Sequence, residues 1–328
     1  MALDEDFAAL FPDSARPVLR RDAFWCAVGA DVLTVYCGLP PHEIAVTPCS
    51  STDVEWLTSL DGLIPWSAAV ARARQTRADR AGTLIRALVR TGALDDASSM
   101  PASWRLSGAR EVSDRSGLLS AGLSPWSANA LIDRRHASVV AVVGLGRPAE
   151  LAFTWCTAAG LDCRRVDALE HDRPPTTRIA MLVEPGHPLV VSDVDTSWHA
   201  IPHLPVRCWG TYARVGPLVR PGISGCLRCA HLHDSDRFMA WPQRSWQAAN
   251  AVRAAPTEGF GGWDSATGHL ALALAVRILR SACDADDHPV ARSGIAYDIV
   301  DGEALPRPVQ QPPHPLCGCQ WDRVSLTA

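Results

Sequence analysis

Two pairs of cysteines have the spacing of a metal site: Cys226-x2-Cys229 and, far along the chain, Cys317-x-Cys319. Gly225 precedes the first pair and Gly318 splits the second, and a glycine beside a cysteine lets backbone N–H groups turn toward the sulfur. Four thiolates suit tetrahedral Zn²⁺ at a structural site with no open coordination position. His231, His233 and His314 lie near these pairs, so three cysteines and one histidine form the alternative ligand set. Either set would fasten the segment around Cys317 to the middle of the chain, stabilising the fold by as much as ~10 kcal/mol. The expected role is structural, since nothing nearby points to an activated water.

The second feature is a glycine turn, Val143-Gly144-Leu145-Gly146-Arg147-Pro148-Ala149, which fits G-x-G-x-x-[GA] between a strand and a helix. In that context the glycines allow a tight turn and close approach of a phosphate, and the helix N-terminus supplies dipole and N–H donors. Asp167 falls at the end of the next strand, where a ribose-binding acid would sit. Gly144, Gly146, Ala149 and Asp167 are therefore the nucleotide-site candidates. Pro148 removes one donor and such a turn can outlive its ligand, so ATP is not expected. Other groupings are poorer. Ser192-Asp193 and Asp195 fall in a polar loop, and Pro202 between His199 and His203 opposes a helix that would present both. Trp198, Trp209, Trp241, Trp246 and Trp263 read as packing residues. No catalytic residue is assigned.

The elements that would position these residues can be read from periodicity. Pro17–Arg20, Phe24–Val28 and Val32–Cys37 are short β-type runs, and Pro40–Ser51 reads as a Pro/Ser-rich loop. Helical spacing follows at Asp53–Leu60, Trp66–Arg74 and Ala78–Thr91, the last closed by Gly92. Residues 1–97 thus make a winged-helix-sized module. Ser98–Arg135 reads as a connecting region with one strand and one short helix. From 136 to 328 the pattern alternates: strand Ser138–Val143, helix Pro148–Ala159, strand Cys163–Val166, then strands Ile179–Val183 and Leu189–Val191. Helix Ser265–Cys283 and a hairpin turning at Asp301-Gly302 complete it. Alternating strands and helices predict an α/β domain with an open, mostly parallel sheet.

The chain has 328 residues, too many for one typical core, and 47% hydrophobic and 20% charged residues describe a globular protein. A net charge of −4 gives no electrostatic footprint for nucleic acid. No apolar run reaches the ~20 residues of a membrane span, and no signal peptide is visible, so a cytoplasmic location is expected. In a reducing compartment, paired cysteines among the 11 present more often bind metal than each other. All basic residues are arginine; without lysine there is no lysine clamp, Schiff base or acyl acceptor.

The chain resembles a known family on several stretches. Pro202-His203-Leu204-Pro205-Val206, Val215-Gly216-Pro217-Leu218-Val219-x-Pro221-Gly222, Cys226-Leu227-Arg228-Cys229 with Trp241-Pro242, and His314-Pro315-x-Cys317-Gly318-Cys319 are similar to ThiF-like leader peptide-binding proteins. These belong to thiazole/oxazole-modified microcin (TOMM) biosynthesis, here of the actinobacterial type. Pro17–Arg21, Val28-Gly29, Leu57-x-x-Leu60-Asp61-Gly62 and Gly92-x-Leu94 resemble that family's winged-helix recognition element. The resemblance implies a degenerate ThiF/Rossmann-like domain with structural zinc, preceded by the small winged-helix-like module. It also implies a precursor leader peptide and a YcaO-type cyclodehydratase, which uses ATP to form azolines, as partners, and dimerisation through the α/β domain. The leader would add as a strand between the third strand and third helix. That places the groove at Thr34–Leu39 against Thr83–Ala93, with Thr34, Val35, Tyr36, Cys37, Leu84 and Leu88 as peptide-binding candidates. The Asn-x-x-Arg group, lysine and magnesium-binding aspartate of active ThiF-like enzymes are not matched: Ala168–Arg178 lacks the first, and Glu184-Pro185 stands near the place of the last. The departures favour a scaffold over an adenylyltransferase. A nicotinamide-dependent oxidoreductase would explain only the glycine turn, and an orphan partner-binding scaffold is the remaining alternative.

Overall fold

The computed structural model describes residues 11–20, 23–28, 32–37, 42–78, 80–90, 92–101, 103–104, 108–121, 123, 125–144, 146–166, 177–185, 201–237, 240, 243, 247, 263–284 and 294–319. The chain divides into two compact units, Met1–Asp133 and Arg134–Ala328. Among the described residues no helix is long and apolar enough to cross a membrane.

In the first unit, β1 (Pro17–Leu19) does not join the small sheet with its sequence neighbours. It pairs antiparallel with β5 (Leu94–Asp96). The sheet consists of β2 (Phe24–Val28), β3 (Val32–Cys37) and β4 (His42–Val46), antiparallel and in that order. β4 lies inside the stretch that composition reads as a loop. In the sequence Pro40 and Pro41 come just before it, and prolines there do not argue against a strand, because proline is tolerated where a strand starts.

Three helices follow: α1 (Ser51–Thr58), α2 (Trp66–Thr76) and α3 (Ala81–Arg90). A capping box starts α1, with the Asp53 N–H bonded to the Ser50 hydroxyl and the Ser50 N–H to the Asp53 carboxylate. The other Asp53 oxygen accepts the Arg80 N–H at 2.9 Å and so ties this cap to the start of α3. Trp56 and Trp66 are fully buried, and the Trp56 indole N–H donates to the Ala69 carbonyl at 2.9 Å. With Leu33, Val35, Leu57, Leu84, Ile85 and Leu88 they form one core.

Two helices, α4 (Ala109–Ser120) and α5 (Pro125–Ala137), occupy the stretch expected to hold one strand and one short helix. Arg115 of α4 is fully buried and paired with Asp95 of β5. Its Nε donates to Asn129 Oδ1 at 2.8 Å and its Nη2 to Ser99 Oγ at 2.7 Å, while Asn129 Nδ2 donates to the Ser99 carbonyl at 2.7 Å. Burial pulls the guanidinium pKa down to about 10, so it stays charged at neutral pH. A polar knot of this kind carries no hydrophobic period, which is why the sequence pattern misses both helices.

The second unit is α/β, as the alternation predicts. Strand β6 (Val139–Gly144) is followed by α6 (Gly146–Ala158), β7 (Asp162–Val166), β8 (Thr177–Pro185), β9 (His203–Trp209) and β10 (Tyr212–Val215). Then come α7 (Leu227–Arg237), α8 (Ser265–Asp284), β11 (Ile295–Val300) and β12 (Arg307–Gln310). The seven strands run β12-β11-β10-β9-β8-β6-β7. The half β7-β6-β8-β9 is parallel, and β10, β11 and β12 extend it antiparallel. One sheet face buries α6 and α8 in a core that includes Val140, Val142, Ala152, Leu272 and Leu279. The other carries Ala141, Val143, Leu182 and Val219 against Leu227 of α7. Arg135 braces the end of α8 through two bonds to Asp284, at 2.6 and 2.7 Å. The run Leu189–Val191, read as a strand, lies outside the described residues.

Candidate metal centre

The first cysteine pair is presented by a turn that leads into a helix. The Arg220 N–H donates to the Ser224 hydroxyl, and the Ile223 and Ser224 N–H groups return to the Arg220 carbonyl. Cys226 and Cys229 then sit one turn apart at the start of α7. Gly225 has a steric reason that spacing does not reveal: a Cβ there would lie 2.8 Å from the Gln311 carbonyl oxygen. The segment carrying the second pair crosses the backbone at this point. It is held by the Gln311 N–H on the Gly294 carbonyl at 2.7 Å. A turn closed by the Cys317 N–H on the His314 carbonyl follows, with Gly318 left-handed at φ 75°.

These two pieces bring all four sulfurs together. Cys226 and Cys317 are 3.4 Å apart, Cys229 and Cys319 3.4 Å, and Cys226 and Cys229 3.7 Å. All four thiols lie within 4.8 Å of one another. A tetrahedral ion with 2.3 Å Zn–S bonds requires sulfur separations of about 3.8 Å, so the donor set fits a metal such as zinc with little adjustment. Cys229 and Cys317 are buried, and Cys226 and Cys319 are half-buried.

The electrostatics favour the same reading. Hydrogen bonding from Cys226, then from the His314 N–H among others, holds the Cys229 thiol down to about 4. The same Cys226–Cys229 hydrogen bond raises the Cys226 thiol, and burial, then its bond to Cys229, pushes Cys319 up to about 11. One thiolate forms readily while its neighbours resist a second negative charge. A divalent cation relieves that resistance.

The histidines offered as a fourth ligand are engaged elsewhere. The His314 ring bonds Asp236, and His233 bonds the Pro312 carbonyl. His231 faces Asp234 and Arg207, and burial lowers its pKa.

The glycine turn stands at the carboxyl end of β6, where the strand order reverses between β7 and β8. That crevice is where ligands of open α/β sheets bind. Gly144 nevertheless has a sufficient cause in packing. A Cβ on it would meet the Val183 carbonyl oxygen at 2.4 Å and the Ala149 Cβ at 3.3 Å, so Gly144 and Ala149 together let α6 and β8 approach. Gly146 is left-handed at φ 68° and opens α6. Asp167 lies outside the described residues, as do Ser192, Asp193, Asp195, His199, Trp198, Trp241 and Trp246. Trp263 packs in the core, and His203 is buried with Nδ1 on the Ile201 carbonyl.

The peptide-groove candidates need a correction. β3 is the central strand, bonded to β2 on one side and β4 on the other, so Thr34, Val35, Tyr36 and Cys37 do not form an unpaired rim. Thr34 and Val35 are buried, as are Leu84 and Leu88 inside the unit's core. With β1 outside the sheet and β4 within it, the third strand of the sheet is β4. The rim strand beside α3 is β4, which packs against that helix and exposes Glu43 and Ala45. Val89 of α3 is 42% exposed.

No protein-family profile matches the chain, and no curated protein sequence resembles it significantly. Solved structures do. The heterocyclase TruD aligns with a TM-score of 0.58 at 15% identity, over 95% of this chain and 44% of that one. A heterocyclase in complex with substrate and cofactor gives 0.58 at 15%, over 93% and 40%. The microcin C7 biosynthetic enzyme MccB in complex with N-formylated MccA gives 0.56 at 12%, over 93% of this chain and 99% of that one. The chain therefore has the ThiF-like fold of these proteins. It spans less than half the length of the two heterocyclases and matches nearly all of MccB.

Proposed function

We propose that this chain is a leader-peptide-binding scaffold of TOMM biosynthesis. It holds a precursor peptide for a YcaO-type cyclodehydratase that forms azolines, and zinc in the four-cysteine site keeps its α/β unit closed. The carrying observation is the three-stranded antiparallel sheet whose rim strand β4 lies beside α3. An open rim next to a helix wall is what β-augmentation by an extended peptide needs: main-chain groups for affinity and side-chain contacts on the wall for selection. Exposed Glu43 and Ala45 leave one face of β4 to solvent, and exposed Val89 gives α3 an apolar contact to offer. The fold likeness supports the reading, since the similar structures include heterocyclases and MccB in complex with N-formylated MccA.

The test uses the full chain and the labelled leader segment of a candidate precursor peptide. Ile44→Pro and Ala45→Pro each remove one β4 N–H, and because successive N–H groups of a strand point opposite ways, one of the two faces the rim. That variant should weaken leader binding at least tenfold, about 1.4 kcal/mol, with the α/β unit melting as before. Equal binding by wild type and both variants, or chemical-shift changes confined to residues after 134, would refute the groove.

A further inference from the structure

Outside the four thiols, a second group of side chains joins α7 to the segment 311–319. The His314 Nε2–H donates to Asp236 at 2.9 Å, and the His233 Nε2–H donates to the Pro312 carbonyl at 2.9 Å. The two rings meet edge to face at 4.7 Å between centroids. His233, Asp236 and His314 place their ligating atoms within 4.8 Å of one another, a spacing a cation could use. Proton positions argue otherwise. His314 Nδ1 accepts the Leu316 N–H at 3.1 Å, so the ring proton sits on Nε2, where a metal would need a lone pair. Metal-bound histidine has the reverse arrangement, with its other ring nitrogen donating. His233 Nε2 faces a carbonyl oxygen, which accepts only, so it carries a proton too.

We infer that His233, Asp236 and His314 form a side-chain latch that seats segment 311–319 on α7 without metal, making them positioning residues that set the affinity of the four-cysteine site. The inference rests on the reading that those cysteines hold zinc. Each polar group of His314 has a task in the turn. Its N–H points at the Cys229 sulfur, its carbonyl accepts the Cys317 N–H, Nδ1 accepts the Leu316 N–H, and Nε2–H reaches Asp236. Fixing the ring from α7 therefore fixes the backbone that carries Cys317 over the helix that carries Cys229. Without the latch, the turn beyond Gln311 is no longer seated on α7, so the ion itself must order it and binds more weakly by the entropy of that ordering.

Chelator competition for Zn²⁺ on the full chain tests this. Asp236 is largely exposed, so Asp236→Ala spares the fold. It should weaken zinc binding roughly 10–100-fold, the range for outer-shell partners, and His233→Ala should do so by less. Asp236→Asn keeps an oxygen for the His314 Nε2–H and should bind close to wild type. In the metal-free wild type, the Leu316 and Cys317 amides should exchange slowly, and in Asp236→Ala fast. Unchanged affinity in Asp236→Ala, or Asp236→Asn as weak as Asp236→Ala, overturns the latch and leaves the zinc site standing. A second metal equivalent lost in Asp236→Ala would also overturn it, making the cluster a metal site. A wild type that binds no zinc removes the four-cysteine reading itself.

Discussion

Replacing Gly144 by alanine places a methyl carbon 2.4 Å from the Val183 carbonyl oxygen and 3.3 Å from the Ala149 Cβ. Val183 is the register partner of Gly144 on β8, so the methyl meets backbone held in a parallel ladder rather than a side chain that can turn away. A carbon–oxygen contact is comfortable at about 3.3 Å, so β6 and β8 must part locally by about 0.9 Å. Overpacking of this kind costs about 1–3 kcal/mol. At about 2–4 °C per kcal/mol for a unit of this size, the α/β transition should fall by roughly 2–12 °C. Gly146 is left-handed, so Gly146→Ala should cost about 1–2 kcal/mol from backbone strain. Calorimetry of the full chain, with and without millimolar ATP, reads both outcomes. If Gly144→Ala melts with the wild type, the packing account is wrong. If ATP raises the wild-type transition and Gly144→Ala abolishes that rise, the turn serves a phosphate and the adenylating alternative gains.

Three further predictions concern stability. Purified protein should carry about one zinc per chain, and chelation or Cys229→Ser should lower the α/β transition by up to ~10 kcal/mol of stability; unchanged melting of metal-free protein would sink this. Arg115→Ala strands buried Asp95 and the partners on Asn129 and Ser99, and should cost about 3–5 kcal/mol in denaturant unfolding, with Asp95→Leu added to Arg115→Met recovering part of it. A loss within error of zero would show that the knot is solvated. Asp264 caps α8 through the Thr267 N–H and hydroxyl, and those bonds, led by the backbone N–H, lower its pKa. A carboxylate depressed by folding stabilises above its unfolded value and stops doing so as pH falls through the folded one. The melting gap between wild type and Asp264→Ala should therefore be open at pH 7 and close below about pH 4; a gap independent of pH would refute the charge account.

What was legible in the sequence follows from which forces leave a local trace. Ser138–Val143 reads as a buried strand because Val139–Val143 is an unbroken apolar run buried on both sheet faces, and Ser265–Cys283 reads as a helix because its apolar stripe has the right period. The four cysteines were legible because ligand chemistry restricts residue type and short spacing at once. The partner of β1 was not, since pairing with Leu94–Asp96 is a long-range event. β9 hides behind Pro205, which a central strand should not contain. The structure resolves this: the ladder with β10 runs only from Val206 to Trp209, so Pro205 owes it no N–H. β4 was hidden by the two prolines before it, and that one omission moved the expected groove onto a central strand. Asp236 had no signal, because an exposed acid on a helix resembles any other until the segment it holds is in place.

The wide separation of the two cysteine pairs has a consequence for chain integrity. α7, α8, β11 and β12 all lie between Cys226 and Cys317. A chain interrupted anywhere in that stretch before folding retains half a ligand set, two neighbouring thiols that oxidise more readily than they hold an ion. Metal content thus becomes a measure of how many molecules were made whole. A cut made after folding has the opposite result. The turn between β11 and β12 is exposed from Asp301 to Leu305, and with zinc bound to the four cysteines a protease that opens it would leave two fragments clamped by one ion. Such a nicked protein would migrate as one species until a chelator released it as two.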